Sequence, residues 1–218
     1  VREAVKLIRG KKGTEVRLKV KHLDGSVEIV PIIRDVVRIE ASYARGCVIE
    51  NVETSTKLGY ILLPGFYRNF ENAREPNAAD DVRKEIRKLK TENIEGLILD
   101  LRNNSGGALR DAIKIVGWFI PKGPVVQAVS NQKTKVHVDN DPRVEYDGPL
   151  IVMVNGHSAS ASEIVASALQ DYGRAIIIGS GPTYGKGTVQ TFINLDHDNR
   201  NQSLDLSEDP LGSLKLTI

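Results

Sequence analysis

The sequence predicts an α/β fold built around a largely parallel sheet, and two features carry that prediction. Short apolar runs, typical of buried strands, alternate with segments whose apolar residues recur at helical spacing. The strands predicted at 96–101 and 149–154 precede two such segments, at 107–119 and 160–172. Because parallel neighbours need crossover connections, the alternation implies right-handed strand–helix–strand units.

The first 36 residues predict a helix followed by a β-hairpin. Apolar residues recur at helical spacing within the first eight positions, and alternating apolar residues then mark a strand near 16–20. Asp24-Gly25 predicts the hairpin turn, with a return strand at about 27–32. Since the chain opens on Val1 inside the predicted helix, we expect a fragment, for which the lack of a signal peptide carries no information.

The remaining predicted elements begin after Asp35. They are strands at about 47–53 and 59–64, a helix opened by Pro76-Asn77, strand 96–101, helix 107–119, strand 125–130, strand 149–154, helix 160–172, strands 174–179 and 188–195, and a last strand at 212–218. The polar segments 131–147 and 196–210 are predicted to be loops.

Composition is that of an ordinary soluble globular protein, with 218 residues, 40% of them hydrophobic and 27% charged. Thirty basic and 28 acidic side chains leave a net charge of +2, and no basic patch interleaved with aromatic residues predicts nucleic-acid binding. No apolar stretch approaches the roughly 18 residues of a membrane span. Cys47 is the only cysteine, and no cluster has metal-ligand spacing, so we expect neither a disulfide nor a metal or other cofactor.

Ser160 is the first candidate for chemistry. It lies between a buried strand and a predicted helix, in a stretch of small residues that lets another backbone approach closely. At a helix N-terminus, free N–H groups and the positive end of the helix dipole favour a developing oxyanion, so Ser160 is a candidate nucleophile. The alternative is structural, because Ser160 and Glu163 fit the Ser-x-x-Glu capping box of many non-catalytic helices.

Lys186 is the second candidate, and it lies between Gly185 and Gly187 just before a predicted strand. A lysine can serve as the base for a serine if burial lowers its pKa, since desolvation disfavours the ammonium form. A phosphate-binding loop or an exposed turn would also explain this lysine. A P-loop requires Gly-x-x-x-x-Gly-Lys-Ser/Thr, whereas here a glycine follows the lysine, which makes that alternative weak.

A third segment, Gly96 to Gly107, is a predicted buried strand that runs into a glycine turn. Taken alone, Gly106-Gly107 is a tight loop, which is the commoner meaning of such a pair. Beside a nucleophile it could supply a backbone N–H to an oxyanion hole.

Together these segments resemble the C-terminal processing (tail-specific) protease family, serine proteases with a Ser–Lys dyad. The matching blocks are Asp100-Leu101-Arg102-Asn103-Asn104-Ser105-Gly106-Gly107, Ser158-Ala159-Ser160-Ala161-Ser162-Glu163 with Gln170-Asp171-Tyr172-Gly173-Arg174, and Thr183-Tyr184-Gly185-Lys186-Gly187-Thr188-Val189-Gln190. The resemblance implies a set of roles: Ser160 as nucleophile, Lys186 as general base, Gln190 orienting the lysine, the N–H groups of Gly106 and Ala161 as oxyanion hole, and Glu163, Asp171 and Thr183 as supporting positions.

The resemblance also implies an architecture and a setting. Residues 1–36 would be the incomplete C-terminal part of a PDZ domain, and residues 37–218 a C-terminally truncated protease core of crotonase-like or Clp-protease-like fold. An ordinary helix-hairpin lead-in would have a similar shape to the first part. The expected partners are protein or peptide substrates, taken near or from their C-terminal tails, in a bacterial envelope compartment, periplasmic or membrane-associated. Nucleic acid is not expected, whereas an oligomer is compatible with the resemblance.

Two observations limit the carry-over of roles. Between Gly179 and Thr183 the chain has one residue more than the usual pattern, an insertion that a loop absorbs at modest entropic cost. Asp171 lies eleven positions after Ser160, roughly 16 Å along a helix at 1.5 Å per residue, so it cannot be a direct third member of a triad.

Other functions remain open at this point. His157 lies three residues before Ser160, where its ring would struggle to fold back onto the hydroxyl, and His22, His137 and His197 lie in polar surroundings where we expect them to be solvated. A Ser-His-Asp triad nevertheless stays open, because the members of a triad meet in space and not in sequence order. A non-catalytic binding or scaffold protein with this fold would have no need of Ser160, Lys186 and Gln190 together. A crotonase-like acyl-CoA enzyme would share the architecture and the backbone oxyanion hole without needing the Ser160–Lys186 pair.

Overall fold

The computed structural model describes residue 5 and residues 7–35, 40–70, 72, 74–130, 133–195 and 212–217. The chain divides into two compact units, Val1–Glu40 and Ala41–Ile218. Among these described residues, no helix is long and apolar enough to cross a bilayer.

The first unit contains the predicted hairpin, which is confirmed. Strands β1 (Glu15–Lys21) and β2 (Val27–Ile33) pair antiparallel, and residues 5, 7 and 8 are helical. The guanidinium of Arg34 donates to the carbonyl oxygens of Leu7, Ile8 and Glu15, which ties the helical segment to the hairpin. The assignment of this unit to a PDZ domain stays a prediction.

The second unit is built on a five-stranded sheet, and the predicted α/β fold class is confirmed. The strand order is β3-β4-β5-β8-β9, and every pairing is parallel except that of β3 with β4. The strands are β3 (Arg45–Glu50), β4 (Lys57–Leu62), β5 (Gly96–Asp100), β8 (Leu150–Val154) and β9 (Ile176–Gly179).

Three helices join this sheet in one apolar core. They are α1 (Ala78–Lys90), α2 (Leu109–Gly117) and α3 (Ala161–Asp171). Helix α1 begins where the sequence predicts, because the Asn77 side chain accepts from the backbone N–H of Asp80 at 3.0 Å. Core positions on strands and helices alike are fully buried, among them Ile61, Leu99 and Val152 on the sheet and Val82, Ile115 and Val165 on the helices.

The prediction of a loop over 131–147 was wrong in part. Strand β7 (Lys133–Asp139) pairs antiparallel with β6 (Gly123–Ser130) to form a separate two-stranded hairpin. The apolar residues of β7, Val136 and Val138, are both exposed, and the strand is otherwise polar. Its sequence therefore lacks the signal of a buried strand, and backbone pairing with β6 stabilises its extended conformation.

A second separate pair closes the described chain. Strands β10 (Gln190–Asn194) and β11 (Ser213–Thr217) pair antiparallel, in agreement with the strands predicted there. The predicted loop 196–210 lies outside the described residues.

A buried ion pair joins α1 and α2 to the segment that follows β4. The Asp111 carboxylate, fully buried, accepts from Arg68 Nε at 2.5 Å and Nη2 at 2.8 Å, and from the backbone N–H of Ala79 at 3.1 Å. Ala79 lies in the first turn of α1, where free N–H groups favour a negative charge. These three bonds satisfy a carboxylate that burial would otherwise penalise.

We predict that Asp111→Ala lowers the free energy of unfolding by about 3 kcal/mol, because it leaves the Arg68 guanidinium buried and unpaired. Urea denaturation measures the change. The matched control is Asp141→Ala, which removes an equally well-formed but exposed pair with Arg143 and should lower stability by less than about 1 kcal/mol. Equal losses in the two variants would contradict the assignment of Asp111 as a buried anchor.

Candidate active site

Ser160 occupies a strained backbone conformation in the turn between β8 and α3. Its φ of 57° and ψ of −112° match the first central position of a type II′ turn, which normally takes glycine. Holding a residue with a side chain there costs about 1–3 kcal/mol, and such strain persists only where the surroundings enforce it. A serine on a strained strand-to-helix turn, with its side chain at the turn's apex, is the arrangement of the nucleophile elbow of hydrolases.

Asn104 enforces that turn from the neighbouring strand-to-helix connection. Its carbonyl oxygen accepts from the backbone N–H of Ala159 at 3.0 Å and from the Ser162 hydroxyl at 2.8 Å. Its side-chain Nδ2 donates to the Leu63 carbonyl at 2.8 Å, and its Oδ1 accepts from the Gly106 N–H at 2.9 Å. This fully buried asparagine therefore connects the exit of β4, the glycine loop and both sides of Ser160.

The two serines that flank Ser160 are structural. Ser158 and Ser162 are fully buried, and each hydroxyl donates to a backbone carbonyl, that of Leu101 and that of Asn104 respectively, at 2.8 Å. Ser160 is half-buried and lines a cavity. Of the three serines in the motif, Ser160 alone faces space that a substrate could enter.

The glycine loop lies directly against Ser160. A Cβ on Gly106, whose φ is +102°, would be 2.9 Å from the Ser160 Cβ and 3.1 Å from the Ala161 nitrogen. A Cβ on Gly107 would overlap the Phe66 carbonyl oxygen. Phe66 pairs with this loop, donating its N–H to the Gly106 carbonyl at 3.0 Å and accepting from Ala108 at 2.8 Å, so the loop is fixed on both sides.

Glu163 joins the serine turn to the lysine loop. Its Oε2 accepts from the backbone N–H groups of Ser160 at 2.7 Å and Lys186 at 3.0 Å. Its Oε1 accepts from the Thr183 hydroxyl at 2.8 Å and the Gly185 N–H at 2.6 Å. The half of the capping box in which Glu163 accepts from the Ser160 N–H is thus formed, and the same carboxylate also anchors the loop that carries Lys186.

These contacts decide the protonation of Glu163. Burial acts to raise its pKa, but the hydrogen bonds from Gly185, Thr183, Ser160 and Lys186 outweigh that effect and hold the pKa below its usual value of 4.5. Because four groups donate hydrogen bonds to Glu163, its side chain must act only as an acceptor. The fold therefore requires the ionised carboxylate and not the protonated acid.

Ser160, Lys186 and Gln190 line the same two adjoining cavities, of about 480 and 280 Å³. Ala161 and Gly107 line the smaller one, whereas Val126 to Val129 of β6 and His137 of β7 form a wall of the larger one. Although the two side chains share these cavities, no hydrogen bond joins Lys186 Nζ to Ser160 Oγ in the structure, and none joins Lys186 to the Gln190 side chain.

The other predicted residues lie apart from this centre. Asp171 is exposed at the far end of α3. His157 is exposed and does not line either cavity, and His197 lies outside the described residues. Among the described residues, no group of three or more histidine, cysteine and acidic side chains could hold a metal ion.

Two contributors to the site were not singled out from the sequence. Asn104 stands within the Asn-Asn-Ser-Gly-Gly run, but only the fold shows how many partners it joins. Strand β7, including His137, gave no sequence signal because it is short of buried apolar residues, although the strand predicted at 125–130 corresponds to its partner β6.

Residues 57–211, which include the serine turn, the glycine loop and the lysine loop, match the family described as Peptidase family S41. The chain belongs to peptidase family S41. A tail-specific protease of Haemophilus influenzae is 44% identical over 218 residues, which are 99% of this chain and 29% of that protein. A carboxyl-terminal-processing protease of Picosynechococcus is 34% identical over 194 residues, 88% of this chain and 44% of that protein.

A solved S41-like structure supports the same fold. The structure described as photosystem II D1 C-terminal processing protease aligns with a TM-score of 0.61 at 25% identity, over 88% of this chain and 50% of that one. The chain thus spans less than half the length of the two curated S41 relatives and half of the solved one.

We predict that Glu163→Gln lowers the free energy of unfolding by about 2 kcal/mol at neutral pH, since the glutamine amide turns a donor toward groups that are themselves donors. The folded pKa of Glu163 is lowered, so its contribution is complete above 4.5 and is lost as pH falls through the folded value. Urea denaturation across this range should show the difference between the two proteins shrinking in acid. The exposed Glu92→Gln should change stability by less than about 0.5 kcal/mol at any pH.

Strain at Ser160 has a separate signature. We predict that Ser160→Gly is more stable than Ser160→Ala by about 1 kcal/mol, because glycine adopts the required φ without strain. At Ser167, an exposed position within α3, the order should reverse, with glycine about 1 kcal/mol less stable than alanine. Thermal or urea unfolding of the four variants measures both differences, and the same order at the two positions would refute the strain.

Proposed function

We propose that this chain is the catalytic segment of a serine endopeptidase that cleaves protein substrates near or from their C-termini through a Ser160–Lys186 dyad. The observation that carries the proposal is the strained Ser160 turn, which lies against the Gly106 loop and shares its cavities with Lys186. Membership of family S41 and the names of the relatives agree with it.

In this mechanism Ser160 Oγ attacks the carbonyl carbon of the scissile peptide bond while Lys186 Nζ takes the hydroxyl proton. The tetrahedral intermediate places its negative oxygen near the backbone N–H groups of Gly106 and Ala161. Collapse breaks the C–N bond, and Lys186 returns the proton to the leaving amine. A water then hydrolyses the resulting ester, with Lys186 again acting as base.

Two local adjustments complete the mechanism. The Gly106 N–H donates to Asn104 Oδ1 at 2.9 Å, so it must exchange this acceptor for the substrate oxyanion. The Ala161 N–H, at the first turn of α3, has no acceptor among the described residues and benefits from the helix dipole. Lys186 Nζ must approach Ser160 Oγ to hydrogen-bond distance on substrate binding.

The remaining predicted residues act by positioning. Gln190, next to Lys186 in both cavities, orients the lysine amine once it approaches Ser160. Glu163 and Thr183 hold the lysine loop against the serine turn. Asp171 has a structural role at the end of α3, since it lies far from the reacting atoms.

The setting of the protein is also a proposal. Residues 1–36, with their helical segment and β1–β2 hairpin, form the C-terminal part of a PDZ domain that receives the C-terminal tails of substrates. The protein works in a bacterial envelope compartment, either periplasmic or membrane-associated. These assignments rest on the resemblance to the processing-protease family.

The test compares variants of the full chain on an unstructured protein substrate. Ser160→Ala and Lys186→Ala should each abolish cleavage to the same extent, since members of one catalytic unit are not additive. Lys186→Arg should also be inactive, because arginine stays protonated and cannot accept the serine proton.

Ser158→Ala and Ser162→Ala are the matched controls, because each removes a hydroxyl from the same motif that is bonded to backbone and turned away from the cavities. Both should keep most of the activity while losing about 1 kcal/mol of stability. Normal turnover by Ser160→Ala would end the proposal, and normal turnover by Lys186→Arg would point to another base, for which His137, a lining residue of the same cavity, is a candidate.

A further inference from the structure

A larger cavity adjoins the active site. It measures about 680 Å³ and is lined by α1, α2 and residues 137–143. Leu109 and His137 line both this cavity and the larger active-site cavity, so the two spaces share a wall. This space is therefore next to the one that a polypeptide bound across Ser160 would occupy. We call this space the α1–α2 cavity.

The side chains available to a ligand in the α1–α2 cavity are cationic. Arg110, exposed in the first turn of α2, makes no ion pair within the part of the chain that the structure describes. Lys114, one turn further along α2, contacts only the exposed carboxylate of Asp80, at 3.7 Å. A loose, exposed pair of this kind is worth little, so Lys114 can turn to another anion.

Of the three acidic side chains in the same lining, Asp80 is exposed and accepts from Asn77 Nδ2 at 2.6 Å, and the other two are occupied or shielded. Asp141 is held by a bidentate pair with Arg143, at 2.8 Å and 2.6 Å. Asp139 is only 9% exposed, and its carboxyl packs against Gly117 of α2. Burial raises the pKa of Asp139, and its Oδ2 has no hydrogen-bond partner among the described residues.

We propose that the α1–α2 cavity is an extended substrate subsite in which Arg110, assisted by Lys114, binds a carboxylate of the polypeptide being cleaved. The proposal rests on the proposed peptidase function and adds a substrate preference to it. The carboxylate has two sources in a polypeptide, an acidic side chain and the C-terminus. Either one, held at a fixed distance from the scissile bond, would favour cleavage at one spacing.

The experiment uses peptides built on one cleaved sequence, with both ends blocked and with Glu or Gln placed at one position at a time on either side of the scissile bond. A second set ends in a free carboxylate or an amide at increasing distance from that bond. We measure kcat/KM with the full chain, and Kd by fluorescence anisotropy in the Ser160→Ala background. The binding measurement reports on the subsite whether or not Ser160 is the nucleophile.

We expect one position at which the peptide with Glu has a kcat/KM about five-fold higher and a Kd about five-fold lower than the peptide with Gln, or at which a free carboxylate has the same advantage over an amide. The ratio should fall to about one in Arg110→Gln and at high salt, and Arg110→Glu should instead favour a lysine at that position. Arg74→Gln is the matched control, since Arg74 is an exposed arginine outside the cavity. A response in the Glu and Gln peptides identifies an acidic side chain as the source of the carboxylate, and a response in the second peptide set identifies the C-terminus.

Three outcomes overturn the subsite: no position with a ratio above about two-fold, a ratio that survives Arg110→Gln, or a ratio that Arg74→Gln removes equally. Cleavage by Ser160→Ala would instead overturn the peptidase mechanism, and the anisotropy ratios would still decide the subsite. Circular dichroism of Arg110→Gln and Arg74→Gln verifies that both variants keep the fold.

Discussion

The hydrogen bonds of Asn104 hold together parts of the site that are far apart in sequence. One buried residue joins Leu63, Gly106, Ala159 and Ser162, and its main-chain oxygen and both side-chain atoms are all used. An aspartate could not donate to Leu63, and a glutamine would displace both side-chain polar groups by a methylene group. The asparagine side chain therefore ties the glycine loop to the exit of β4, while the main-chain oxygen of the same residue holds the serine turn.

Glu163 supplies the complementary constraint from the other side of Ser160. Strain at the serine favours relaxation of the turn, and the four hydrogen bonds to one carboxylate oppose that relaxation. Because three of those donors belong to the loop of Lys186, the strain and the placement of the lysine are coupled. The side chains of Lys186 and Ser160 themselves remain without a mutual hydrogen bond, so the backbone around them is more firmly arranged than the reacting atoms.

Most of the central fold could be predicted from sequence because its strands are continuous apolar runs and its helices carry clear apolar faces. Residues 96–101, 149–154 and 160–172 are examples in which pattern and structure agree within one or two positions. The pattern failed at β7, whose order depends on backbone pairing with β6 and leaves Val136 and Val138 exposed. In the site, motif order placed Ser160, Gly106 and Lys186 together. It could not give the backbone angles of Ser160 or the four-way role of Asn104, since both arise from contacts between distant segments.

The β6–β7 hairpin forms its own two-stranded sheet, packs on helices α2 and α3, and supplies a wall of the larger active-site cavity. Its ladder is independent of the ladder that carries the serine and glycine turns. Sequence drift within residues 123–139 therefore reshapes the surface that a substrate meets while leaving the hydrogen bonds of Asn104 and Glu163 intact. The exposed side chains of the hairpin can thus diversify in sequence while the serine and glycine turns keep their own hydrogen bonds.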